Sequence, residues 1–228
     1  MKKIMLLICM AGSLSLSVAQ SVKLSVNAGL NLSSYSGSEL MWGSGTSNVT
    51  TSALTGFHAG IVAGVDVAQF SIQPGLLYTT KGSNYVATTN EVSTGGSYTN
   101  TTTDKQTLNY LQLPVNVLYN IPVTGLGKLF IGGGPYAARL LSGKDDFTST
   151  ATQIGTPTNI VGSGVVSSGN GADNIKKLDY GANALVGIAF KNKISFSAGY
   201  DYGLAKLSDN GYANKNHTLS FSAGYWFL

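Results

Sequence analysis

The sequence predicts an all-β fold, an eight-stranded antiparallel transmembrane β-barrel with up-and-down connections, short periplasmic turns and long extracellular loops. Three observations carry this reading. Eight segments alternate apolar with small or polar residues, the period of a strand whose two faces meet different surroundings. Charged residues are 11% of the chain, against about 25% in a soluble domain. Past the N-terminus, however, no apolar run approaches the roughly 20 residues that a spanning helix needs. Finally, the connections alternate in length, so that short turns gather on one rim and long loops on the other, the habit of outer-membrane barrels.

The chain is expected to begin with a signal peptide at residues 1–19, leaving residues 20–228 as one barrel domain. Lys2 and Lys3 give a positive start, residues 4–16 form an apolar run, and Ser17-Val18-Ala19 places small residues where a signal peptidase reads. Cys9 lies inside the apolar run behind bulky Ile8, so it reads as an apolar signal residue rather than a lipidation site. The remainder has no cysteine, which leaves neither a disulfide framework nor a thiolate site. Without Lys2 and Lys3, twelve basic side chains face ten acidic ones, and no basic cluster supports nucleic-acid binding.

The first strand spans residues 22–33, with Val22, Leu24, Val26, Ala28, Leu30 and Leu32 on the lipid face and Ser25, Asn27, Gly29 and Asn31 opposite. The second, residues 54–67, turns Phe57, Ala59, Ile61, Ala63 and Val65 outward and Gly56, His58, Gly60 and Gly64 inward. The third covers residues 70–80 and the fourth residues 107–120, where Leu111, Leu113, Val115, Val117 and Tyr119 oppose Gln112, Asn116 and Asn120. The fifth, residues 129–141, is interrupted by Gly132-Gly133-Gly134-Pro135, which predicts a bulge or a close approach of neighbouring backbones. The last three are residues 178–190, 194–205 and 218–228. Lengths of this order suit tilted strands that cross a bilayer, which need about 9–11 residues, better than sandwich strands of about 5–6.

Short turns fall near residues 66–69, 121–128 and 191–193, and long links at residues 34–53, 81–106, 142–177 and 206–217. The long links are rich in Thr, Ser, Gly and Asn and read as mobile, solvated loops. Tyr35, Trp42, Tyr78, Tyr110, Tyr119, Tyr180, Phe190, Tyr200, Tyr202, Tyr225, Trp226 and Phe227 gather toward strand ends, where amphipathic rings form girdles at headgroup level.

Three stretches carry a family resemblance. Leu108-Asn109-Tyr110-Leu111-Gln112-Leu113-Pro114-Val115 resembles a strand of the PorT-like outer-membrane β-barrel family of Bacteroidota. Gly132-Gly133-Gly134-Pro135-Tyr136-Ala137 is similar to that family's Gly-x-Gly-Pro-Tyr strand, and the chain ends on the aromatic strand Phe221-Ser222-Ala223-Gly224-Tyr225-Trp226-Phe227-Leu228. The resemblance implies an eight-stranded barrel in the outer membrane, read by the barrel-assembly machinery through its last strand. It implies no catalytic residue.

The ionisable residues at inward positions are His58, Asp179 and Asp201, expected to join a buried hydrogen-bond network with Asn, Ser and a Lys or Arg. A nucleophilic centre would need a base held beside a nucleophile. His58 and His217 are the only imidazoles, and neither neighbours a nucleophile motif. Two separated histidines make no metal cluster. Asp145-Asp146 reads as a solvated loop pair, and Gly132-Gly133-Gly134 lacks the Lys-Ser/Thr of a phosphate loop. No catalytic, cofactor-binding or metal residue is therefore expected, and no cofactor. The expected role is that of a non-catalytic structural or surface-interaction barrel, surrounded by outer-membrane lipid and monomeric. A small-solute channel, an accessory of protein secretion as the family resemblance implies, and a soluble β-barrel or sandwich are the alternatives.

Overall fold

The computed structural model describes residues 22–36, 46–93, 96–153, 156–166, 168–169, 175–207 and 215–227. The expected signal peptide, Cys9 and Trp42 lie outside the described residues. Nine antiparallel strands follow in order: β1 (Val22–Ser36), β2 (Thr46–Val67), β3 (Phe70–Ser93), β4 (Gly96–Val123), β5 (Gly127–Gln153), β6 (Thr156–Val165), β7 (Leu178–Phe190), β8 (Ile194–Gly203) and β9 (Lys215–Trp226). Eight of them close a ring, in which each of β1–β4 pairs with the next, β5 pairs with β7, and β7, β8 and β9 lead back to β1. The closing seam runs from Ser25 opposite Trp226 to Ser36 opposite Lys215. Closure leaves no backbone edge within the apolar band, which is what lets a sheet cross hydrocarbon.

The predicted alternation holds around the ring. Leu30, Phe57, Ile72, Val117, Ile131, Val186, Phe196 and Phe221 all stand outward and exposed, a continuous apolar wall. The short turns sit at one rim, between β2 and β3, β4 and β5, and β7 and β8. Each uses a left-handed residue where the chain reverses: Ala68 (φ 54°), Gly125 (φ 83°) and Lys193 (φ 71°).

The largest departure from expectation lies on the opposite side. Residues 81–93, 96–106, 142–153 and 156–165, expected to belong to mobile loops, are strand. β3 and β4 stay paired up to Ser93 and Gly96, β4 and β5 up to Tyr98 and Gln153, and β6 adds a further strand to β5. With residues 46–53 of β2 these form a five-stranded sheet projecting from the barrel. A tilted strand gains about 2.5 Å of height per residue, so the sheet reaches roughly 30 Å past an apolar band about 25 Å tall. The threonines that suggested low complexity are β-branched and suited to strands, and each strand satisfies the backbone groups of its neighbour.

The glycine run in β5 marks a close approach, as expected. A Cβ on Gly132, Gly133 or Gly134 would lie 2.0, 2.1 or 1.9 Å from the carbonyl oxygens of Val117, Asn183 and Val115. The register slip between β4 and β5 falls elsewhere, where Asn109 faces Ser142 and Tyr110 faces Leu140, leaving Leu141 as the extra residue.

Candidate functional site: the barrel lumen and its mouth

The interior is built in layers. At the short-turn rim Lys23 and Lys128 converge on Asp66 at 2.7 and 3.6 Å. Ser71 donates to the same carboxylate, and Asn120 donates to Ser71 Oγ at 2.7 Å. Above this ionic rim lies a cavity of about 140 Å³ walled by polar side chains such as Asn27, Asn116 and Asn183, with Trp226 among them. His58 lies along one wall, across β1, with Nδ1 2.8 Å from Asn31 Oδ1 and Nε2 2.8 Å from Ser222 Oγ. Asn31 in turn donates to Thr79 Oγ1 at 2.9 Å.

A buried charge cluster closes the cavity from above. Lys81 Nζ lies 3.1 Å from Asp201 Oδ2 and 3.7 Å from Asp179 Oδ2, and the side chains of Lys81 and Asp179 are 0% exposed. Gln112 donates to Asp201 at 3.0 Å and Asn216 to Asp179 at 3.1 Å. The ammonium also sits 4.3 Å from the centroid of the Tyr136 ring. Over this cluster Leu108, Tyr110, Tyr136, Ala138 and Leu140 fill the bore, and Tyr35, Val166 and Ile175 pack on them. Eight strands leave an interior that side chains can fill, and in this layer above the cavity they do.

The sequence placed Asp179, Asp201 and His58 inward, and that is where they lie. Their cationic partner, Lys81, opens the expected 81–106 loop but lies inside β3. The signal was present: Gln73, Gly75, Leu77, Thr79 and Lys81 continue one inward parity once β3 is allowed to run on. Two aromatics expected in the girdles turn inward instead. Tyr110 is fully buried and Trp226 lines the cavity, because each shares the parity of the inward positions beside it. Tyr35 also departs from the girdle, its hydroxyl donating to Gln106 Oε1 at 2.6 Å. Tyr78, Tyr119, Tyr180, Tyr200, Tyr202, Tyr225 and Phe227 do face outward.

The two histidines are not brought together. His217 stands on the outer wall, accepting from or donating to Tyr200 and Ser36, while His58 is in the lumen. Asp145 and Asp146 point to opposite faces of β5. Asp146 pairs with Lys144 at 2.7 Å. Asp145 lies on the projecting sheet near Asp104, and burial, then Asp104 and Asp146, pushes its carboxyl up to about 6 against the pull of Gln106. Among the described residues no group of three or more His, Cys, Asp or Glu could hold a metal ion.

No curated protein matches the chain. Among solved structures it is similar to Neisserial surface protein A, at 14% identity over 91% of this chain and 99% of that one, with a TM-score of 0.41. It is similar to Ail, the attachment invasion locus protein of Yersinia pestis, in complex with the heparin analogue sucrose octasulfate, again at 14% identity over 91% and 99%, with a TM-score of 0.42. A looser likeness is to the translocator domain of the autotransporter NalP from Neisseria meningitidis, at 14% identity over 99% and 95%, with a TM-score of 0.28. The model of the outer membrane protein beta-barrel domain family matches residues 18–209, from before β1 to beyond β8, and the chain belongs to that family.

Proposed function

We propose that this outer-membrane barrel is non-conducting and non-catalytic, and that it serves as a rigid stalk presenting the projecting sheet to a partner outside the cell. One observation carries the proposal: strands β2–β6 form a paired sheet well beyond the apolar wall, and among the described residues β6 pairs on one side only. An unpaired strand edge offers a row of N–H and C=O groups to an extended partner segment. Between polar Thr158, Asn159 and Ser163, that strand also shows apolar side chains, with Ile160 58% and Val161 76% exposed. The filled bore above Lys81 supports a surface role over a solute channel. Residues 108–115 and 132–137 support a place among the PorT-like members of the family, and export by the N-terminal signal would bring the chain to its membrane.

The test has two parts. Purified barrel in a planar bilayer should give no discrete openings; regular single-channel steps would overturn the stalk reading in favour of a channel. Replacing residues 84–105 and 144–165 with tight turns should leave a carbonate-resistant barrel. Cells displaying the trimmed form should adhere less to protein-coated surfaces, and equal adherence would remove the role given to the sheet.

A further inference from the structure

The outer wall is not apolar to its end. Arg139, the one arginine of the chain, points outward from β5 between Leu111 of β4 and Leu178 of β7, its direct partners across the strands. Lys206, just past β8, shares the outward parity of exposed Leu204, between buried Ala205 and Leu207. Lys215 opens β9 with the parity of outward His217 and Leu219. Counted from the short-turn rim, Arg139 lies twelve residues up β5 and Lys215 eleven up β9, while Lys206 follows three residues after β8 ends at Gly203. At about 2.5 Å per residue, Arg139 and Lys215 stand near 30 Å, just above an apolar band about 25 Å tall, and Lys206 belongs to the same rim.

None of the three forms an ion pair with a described residue, whereas Lys23, Lys81, Lys128 and Lys144 all do. Among the described residues the carboxylates nearest in sequence are Asp145 and Asp146 for Arg139, one on the projecting sheet six residues further up β5 and the other paired with Lys144, and for Lys206 and Lys215 it is Asp201, which is held by Lys81. A guanidinium among leucines at the edge of hydrocarbon is costly unless its head reaches a counter-anion at headgroup level. The anion that a bilayer offers at that height is lipid phosphate, and a guanidinium fork binds phosphate in two-point geometry.

We propose that Arg139, Lys206 and Lys215 form a docking site on the outer wall for the phosphate-bearing headgroup of an outer-leaflet lipid. The site covers one side of the barrel, from β5 to β9, so bound lipid lies along that arc. This inference rests on the outer-membrane barrel and does not depend on the projecting sheet having a partner.

The experiment uses full-length mature barrel in nanodiscs of phosphatidylcholine containing a bis-phosphorylated diglucosamine lipid or its dephosphorylated analogue. The readout is the lipid retained per barrel in native mass spectrometry. Wild type should hold the phosphorylated lipid about tenfold better than Arg139→Leu/Lys206→Gln/Lys215→Gln, the order expected for losing charge-assisted contacts. Arg139→Lys should keep part of the effect, and both proteins should hold the dephosphorylated analogue equally weakly. Heat-modifiable mobility checks folding; if the triple variant fails it, Lys206→Gln/Lys215→Gln should show a smaller loss in the same direction. Equal retention of phosphorylated lipid by wild type and the folded variant overturns the proposal. So does equal retention of the two lipids by wild type. Displacement by excess inorganic phosphate would assign the site to a free anion and overturn the lipid.

Discussion

Replacing Lys81 by methionine tests the lumen architecture most directly. The ammonium is fully buried, 3.1 Å from Asp201 and 3.7 Å from Asp179. At an effective dielectric near 20, those two attractions amount to roughly 5 and 4.5 kcal/mol. Desolvating three ions costs several kcal/mol each, so the intact cluster comes out near neutral. Lys81→Met removes the attractions and leaves two carboxylates confined together, a situation that costs about 3–5 kcal/mol. With a urea slope of about 2 kcal/mol per M, the unfolding midpoint should fall by about 2 M. The assay is equilibrium urea unfolding of the barrel refolded in detergent micelles, followed by tryptophan fluorescence, since Trp226 lines the lumen. Neutralising the whole cluster, Lys81→Met/Asp179→Asn/Asp201→Asn, should recover most of the loss. A single variant within about 1 kcal/mol of wild type, an ordinary surface effect, would refute the reasoning, as would a triple variant no more stable than the single.

Three further outcomes follow from the same geometry. Gly29→Ala should block refolding, because its Cβ would lie 2.0 Å from the Phe221 carbonyl oxygen and 2.6 Å from His58 Cε1; Gly164→Ala, with nothing within 4 Å, should refold normally, as judged by heat-modifiable mobility. Tyr110→Ala with Tyr136→Ala empties the bore above Lys81 while the charge cluster beneath stays in place, so a planar bilayer should still show no discrete conductance steps, as for wild type. Asp145 holds its proton more tightly in the folded sheet than in an unfolded chain, with a carboxyl pushed up to about 6 by burial and its acidic neighbours. The stability this lends is complete below about pH 4 and is lost as pH rises through 6. The projecting sheet should therefore be cut more slowly by proteinase at pH 5 than at pH 8, and Asp145→Asn should reduce that difference.

Much of this barrel was legible from residue order alone because a strand's inside and outside alternate with a period of two. Val22 to Leu32 and Tyr180 to Phe190 declare their lipid faces without reference to any neighbour. The ring and its short turns followed from that alternation plus spacing, and His58, Asp179 and Asp201 could be placed inward by parity. Where a strand ends could not be read, because pairing depends on a partner distant in sequence. Thr102 is strand because Ala87 and Ser149 flank it, and neither residue is near it along the chain. The same dependence hid Lys81, whose inward position required β3 to continue, and it turned Tyr110 and Trp226 from girdle residues into lumen filling. Composition and period thus determined that the chain is a membrane barrel. The contacts across strands decided that its bore is plugged, that its charges are neutralised inside, and that a sheet stands above it, since each of these joins residues that only the closed ring brings together.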